Sequence, residues 1–341
     1  MVTVISGTTN KLSRLSKQAS AYMAQSVAPT TCGKYTACFS AYVDFCQKAN
    51  LQVFPLAQEN LILFGSELAE ATSHSNINLH LASIKYFAAL NGFDVQLSQF
   101  TRLYRMLRGI KRMQGNKFKK PKRSPITPPI LRIIRFKLWN SSLPYEDKVM
   151  LWAAMLTAFF GFLRVSEYTS THSSSYDPTC TLCCWDVSIP EDNGTAIDLQ
   201  IKASKTDPFR AGVTVRLAEN KSLLCPVEAL IKFSEVHPSQ HGPLFTFKNG
   251  SYLTRNSLMT ALKRFKPDNI PNISSHSFRI GAATTAAAAG YPRWLIQALG
   301  RWSSDCYKIY LRVTDNTKKL VSESMAWATI TDMETYDPDN Y

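Results

Sequence analysis

The sequence predicts two folded parts in series, an N-terminal all-α bundle and a C-terminal α+β unit. Three features carry this expectation. The chain has 341 residues, beyond the size at which single cores usually split. Its first third holds only helix-period apolar patterns, and strand patterns appear only after a proline-rich break. At 45% hydrophobic and 19% charged residues, the composition is globular rather than disordered. The parts read as 1–114 for the bundle, 115–126 for a basic linker and 127–341 for the second unit with a C-terminal tail.

Five stretches of the first part have helical spacing: NKLSRLSKQASAYMAQSV, TTCGKYTACFSAYVDFCQKAN, AQENLILFGSELAEA, NINLHLASIKYFAALNG and LSQFTRLYRMLRGIKRMQ. Pro55, Asn91 and Gly92 punctuate them. Gly115 and four prolines, Pro121, Pro125, Pro128 and Pro129, then break the periodicity. Helices resume at PPILRIIRFKLW and YEDKVMLWAAMLTAFFGFLRVSEY. Short strands follow around LCCWDVSI, AIDLQIK and GVTVRL, the last two joined by the polar turn ASKTDPFRA. Further helices are expected at CPVEALIKFSEV, LTRNSLMTALKRF, the alanine run after Arg279, PRWLIQAL and SSDCYKIYLR. A small sheet inside a helical unit satisfies this order.

The net charge of +14 is concentrated in one place. Residues 1–124 carry 16 Lys+Arg against 5 Asp+Glu, and residues 101–123 hold ten basic residues with no acid. Arg102, Arg105, Arg108 and Arg112 recur at helical spacing, with Leu103, Tyr104, Met106, Leu107 and Ile110 supplying the apolar side. Lys119, Lys120, Lys122 and Arg123 continue the run. Such a stripe is the footprint of a polyanion, with nucleic acid ahead of membranes and acidic partners.

The longest apolar run, 149–163, contains Thr157 and Gly161 and is too short for the roughly 20 residues of a membrane span. It reads as a buried core helix, and no membrane partner is expected. The N-terminus has no apolar segment after its basic residues, so no secretory signal is expected and the chain should stay in a reducing compartment. Its eight cysteines, scattered except for CTLCC at 180–184, lack the second spaced pair of a zinc site and read as free thiols, with no metal.

Phosphate-loop, dinucleotide and Gly-x-Ser-x-Gly signatures are missing, so no nucleotide cofactor is indicated. The C-terminal part offers no acidic triad for two-metal chemistry. Phosphoryl chemistry here would rest on cations and a side-chain nucleophile, because preorganised Arg and His donors can stabilise charge on non-bridging oxygens. Four blocks supply such groups. In GFLRVSEY, Arg164 follows an apolar helix and needs an anion, which Glu167 can provide. The turn KASKTDPFRAG offers Lys202 and Lys205. In HSFRIGAAT, His276 and Arg279 share a helix face, Ser274 or Ser275 caps the helix, and the helix N-terminus favours a phosphate. In LGRWSSDCYKIYLR, Arg301 precedes Trp302, whose indole N–H is donor only. Tyr307 and Tyr310 lie further on; a tyrosine with a reference pKa of about 10 needs neighbouring cations to react.

These blocks, in this order, resemble the tyrosine recombinases, also called the phage integrase family. SKTDPFR and GRWSSDCYKIYLR look closest to the Crypton and DIRS-like recombinases of mobile elements. The resemblance implies a SAM-like core-binding bundle at 1–114 and a recombinase-type α+β catalytic domain at 127–341, closing around double-stranded DNA. It implies that Tyr310 is the nucleophile, with Tyr307 as rival because Tyr310 sits one residue closer to Trp302 than in some relatives. Arg164, Arg279, His276 and Trp302 would hold the phosphate, Lys205 ahead of Lys202 would protonate the leaving oxygen, and Glu167 would support Arg164.

The implied activity is site-specific strand cleavage and rejoining through a 3′-phosphotyrosine, without ATP or obligatory metal, by a homotetramer on two DNA sites. Accessory DNA-binding proteins are possible further partners. The tail stretch NTKKLVSESMAWA would dock on a neighbouring protomer. Two alternatives stay open: type IB topoisomerase-like relaxation, and a host-adopted DNA-binding protein that no longer cuts. The run KFKKPKRSP resembles a nuclear localisation signal, so the expected place is the nucleus in a eukaryotic host and otherwise the cytoplasm with the nucleoid.

Overall fold

The computed structural model describes residues 3–119, 121–190, 195–204, 207, 209–237 and 241–310, without the side chains of 3–10, 306, 309 and 310. The chain divides into two compact units, Met1–Pro121 and Lys122–Tyr341.

The first unit is helical among its described residues: α1 Thr3–Ala24, α2 Pro29–Lys48, α3 Gln58–Ala71, α4 His74–Leu90 and α5 Thr101–Gln114. Its core joins Tyr42 and Cys46 of α2, Leu61 and Phe64 of α3, Ile77, Leu81 and Ile84 of α4, and Leu103 of α5. Every described side chain of α1 is exposed, including Leu12, Leu15, Tyr22 and Met23, so none of them joins this core. The end of α5 is pinned by Gln114, which donates to Thr72 O at 2.8 Å and accepts from the His74 amide at 2.8 Å.

The second unit is built on α7, Tyr145–Phe160, whose residues from Val149 to Phe159 are all buried. A helix apolar on every side must sit at the centre of its domain. Around it stand α6 Pro128–Trp139, α9 Pro226–Val236, α10 Arg255–Phe265, α11 Ser277–Ala288 and α12 Arg293–Leu299. The sheet is antiparallel, in the order β1 Val187–Ser188, β2 Ala196–Ile201, β3 Val213–Ala218. Leu199 pairs with Val187 on one side and Val215 on the other. Ile197, Leu199, Ile201 and Leu217 turn inward to the core at the two-residue period of a half-buried sheet.

Three expectations change in detail. The predicted helix across 145–168 stops at Phe160 and restarts as the short α8, Val165–Tyr168. The LCCWDVSI strand shrinks to β1, preceded by a 3-10 turn at Cys184–Asp186. The unit boundary falls inside the stretch read as linker, and residues after it pack on the second unit. Ile126 is fully buried there, its amide donates to Ser277 O at 3.0 Å, and the Ser124 amide donates to Asn272 O at 3.1 Å.

This strap crosses α11 at Gly281, where an added Cβ would lie 1.8 Å from Ile126 O. Both contacting groups are buried, so neither can yield without moving α11 or the strap. Gly281→Ala is expected to cost about 1–3 kcal/mol or more through overpacking. A thermal unfolding midpoint unchanged from wild type would remove the strap from this account.

Candidate active site

The site begins where α7 ends. After Gly161 the chain turns at Phe162, which has a left-handed backbone (φ 50°). Such a conformation is uncommon for a bulky residue and marks a constrained turn. The turn sets Arg164 at the start of α8, where its amide donates to Glu167 Oε2 at 2.9 Å and its Nη1 to Glu167 Oε1 at 3.0 Å. The Glu167 side chain is fully buried, and 13% of the Arg164 side chain is exposed.

Arg279 reaches the same turn from α11. It is fully buried, and its guanidinium donates to the carbonyls of Phe162 and Gly300. Trp302 forms the floor beneath it, with the ring centroid 4.3 Å from the guanidinium carbon. Cation–π attraction of this kind grows when both partners are dry. Trp302 also meets Phe162 edge-on at 6.4 Å and Tyr307 at 5.9 Å. Gly300 allows this fold-back, because a Cβ there would lie 1.8 Å from the Trp302 ring. Trp302 therefore builds the site by packing, a part the sequence did not assign to it.

His276 stands at the N-cap of α11, half-buried. The expected serine cap does not form: His276 itself is the N-cap, with no side-chain cap bond, and Ser274 Oγ accepts from the His276 amide at 3.3 Å.

Arg301 is the residue whose place the sequence left open. Its Nη2 donates to Glu167 Oε2 at 2.8 Å and to Phe162 O at 3.4 Å. Glu167 thus lies between Arg164 and Arg301, and Phe162 O lies between Arg279 and Arg301. Burial pulls the Arg301 pKa below the usual arginine value; Glu167 opposes the shift and Arg164 adds to it. Three cations and one carboxylate in a dry region form a site that favours an anion.

The β2–β3 turn comes to the same place. A cavity of about 310 Å³ is lined by Ser204, Asp207 and Gly212 of the turn and by Arg301, Trp302 and Ser303. Lys202 at the base of the turn is held by Asp186, 2.5 Å away, and lies 5.6 Å from the Trp185 ring centroid. Lys205 lies outside the described residues. Asp207 ties the turn by accepting from the amides of Gly212 at 2.8 Å and Ala211 at 3.0 Å.

Those amides, Gly212 first, hold the Asp207 carboxyl below its ordinary pKa. A lowered carboxylate pKa stabilises the fold above the unfolded value of about 3.9, and the stabilisation is lost as pH falls through the lower folded value. The Ala211 and Gly212 amide proton shifts should therefore titrate with a midpoint below about 3.9. A midpoint at or above it would show that the turn is not tied this way.

Tyr310 ends the 3-10 helix Asp305–Tyr310, and its side chain lies outside the described residues. Its rival, Tyr307, is 3% exposed and belongs to the core beside Trp302. In the first unit, Arg105, Arg108 and Arg112 are exposed along α5. Arg102 differs, because it pairs with Glu59 of α3 and is partly neutralised. Lys119, Lys122 and Arg123 are exposed, and Lys120 lies outside the described residues.

This helical chain with its small antiparallel sheet is similar in fold to a site-specific recombinase and to an integrase. Two solved structures carry the likeness. One is the XerH site-specific recombinase bound to a palindromic difH substrate in a post-cleavage complex: 13% identity, 86% of this chain and 79% of that chain covered, TM-score 0.58. The other is a lambda integrase fragment bound to DNA: 14% identity, 88% of this chain and 93% of that chain covered, TM-score 0.50. No family model matches the chain, and no curated protein matches it in sequence.

Proposed function

We propose that this protein is a site-specific DNA recombinase that cleaves and rejoins strands through a 3′-phosphotyrosine. The observation that carries the reading is the convergence of Arg164, Arg279 and Arg301, from three distant parts of the chain, on one buried carboxylate and one carbonyl. The likeness in fold to recombinases solved with DNA supports it.

In this reading the Tyr310 oxygen attacks the scissile phosphorus, a P–O bond forms, and the bond to the 5′-oxygen breaks. The phenolic proton passes to His276, and Lys205 gives a proton to the departing 5′-oxygen. Arg164 and Arg279, with the Trp302 indole as a further donor, neutralise charge gathering on the non-bridging oxygens. A 5′-hydroxyl from a partner strand reverses the step, and no ATP is consumed because bond energy is kept in the phosphotyrosine. Arg105, Arg108, Arg112, Lys119, Lys120, Lys122 and Arg123 lie along the DNA backbone, where each phosphate contact releases counterions.

The resemblance of the motifs extends the proposal: the bundle acts as the core-binding domain, four protomers work on two DNA sites, and the tail after Tyr310, which lies outside the described residues, docks on a neighbour. SKTDPFR and GRWSSDCYKIYLR resemble Crypton and DIRS-like recombinases, and KFKKPKRSP would direct the chain to the nucleus in a eukaryotic host, the alternative being the cytoplasm with the nucleoid.

The test is a duplex nicked next to the cleavage point, which traps the covalent step. Wild type accumulates a protein–DNA adduct, and Tyr310→Phe does not. An adduct that survives in Tyr310→Phe and disappears in Tyr307→Phe would overturn the choice of nucleophile. Relaxation of supercoiled DNA without recombinant junctions would favour the topoisomerase alternative.

A further inference from the structure

We propose that Arg301 is a third phosphate ligand of this site, presenting a guanidinium beside Arg164 where the sequence suggested only the Trp302 indole. The inference rests on the strand-cleavage reading for the identity of the anion, and on the structure for the residue.

Four observations support it. Only one of the three nitrogens of the Arg301 guanidinium is engaged: Nη2 holds Glu167 and Phe162 O, whereas Nε and Nη1 are buried with no hydrogen-bond partner among the described residues. Buried N–H groups are nearly always paired, and an exception at a cationic site marks a ligand position. The Glu167 carboxylate already accepts from Arg164 Nη1, the Arg164 amide and Arg301 Nη2, so one negative charge serves two neighbouring guanidiniums. The backbone of Arg301 is left-handed (φ 52°), a conformation that few non-glycine residues hold without a constraint. Finally, Arg301 lines the cavity that the β2–β3 turn also lines, so an anion there meets it together with the turn.

Trp302 complements this. Its ring is buried under Arg279 and against Phe162 and Tyr307. A planar guanidinium offers paired donors to phosphate oxygens, which a single indole N–H cannot. The chain therefore divides the work between neighbours, with Trp302 setting the floor and Arg301 the charge.

The experiment uses the full-length protein and inorganic phosphate as the probe, with binding followed by 31P line broadening. Wild type should bind phosphate, and Arg301→Ala about tenfold more weakly, the loss of one charge-assisted contact. Arg301→Lys keeps the charge and the Glu167 partner but not the planar fork, so it should fold like wild type and bind with intermediate affinity. If Arg301→Ala fails to fold, Arg301→Lys decides: affinity equal to wild type overturns the proposal, and a several-fold loss with an unchanged thermal midpoint upholds it. Equal affinity in wild type and Arg301→Ala overturns it, as does a wild type that binds no phosphate. A wild type that binds phosphate through Arg301 yet forms no adduct on nicked DNA overturns the cleavage reading alone.

Discussion

Glu167→Ala is expected to cost about 3–5 kcal/mol of stability, which lowers the thermal midpoint by roughly 10 °C for a unit of this size. The side chain is fully buried and has both oxygens committed, Oε1 to Arg164 and Oε2 to Arg301 and the Arg164 amide. Its removal leaves two neighbouring guanidiniums facing each other without a counter-charge, and frees the amide at the start of α8. Repulsion and lost hydrogen bonds then act together. Glu167→Gln keeps one acceptor oxygen and should lose less. Calorimetry or circular dichroism reads the shift, and a fall of less than about 2 °C in Glu167→Ala would mean that the carboxylate does not hold the cluster.

Arg279→Ala should be about as destabilising, by roughly 3–5 kcal/mol, since it opens a cavity, removes the donor to the Gly300 carbonyl and leaves the Phe162 carbonyl only the longer bond from Arg301. The guanidinium donates to both carbonyls, Nη1 to Phe162 O and Nη2 to Gly300 O, and the Trp302 ring loses its cation. The informative variant is Arg279→Lys, which retains charge and most of the volume. Without the fork it cannot span both carbonyls, so adduct formation on nicked DNA should fall by about 10²–10³ while the fold persists. An Arg279→Lys enzyme that forms adduct at the wild-type rate would show that this guanidinium only packs.

Much of this architecture was legible because local patterns decided it. The apolar spacing of α2–α6, the short β2 and β3 and the alanine-rich α11 all follow from periods that neighbouring residues enforce. The break in α7 was not legible, because FGFL continues an apolar run and nothing nearby marks Phe162 for a left-handed turn. Arg102 looked like the other arginines of α5, since a window without acids cannot reveal Glu59 of another helix. The pairing of Arg164 with Glu167 could be read from a three-residue spacing. The second hold on Glu167, by Arg301, could not, because it joins segments far apart in sequence. Trp302 was noticed for its N–H, and its burial beside Arg279 emerged only with the fold.

The nucleophile is identified directly by trapping it on DNA. Wild-type protein is trapped on nicked duplex DNA, the adduct is digested, and the nucleotide-bearing peptide is sequenced by mass spectrometry. The account predicts a single modified residue, Tyr310, joined to a 3′-phosphate, with a free 5′-hydroxyl on the released strand. A remnant on Tyr307 or on any other residue, a 5′-linked phosphate, or no adduct at all would contradict it.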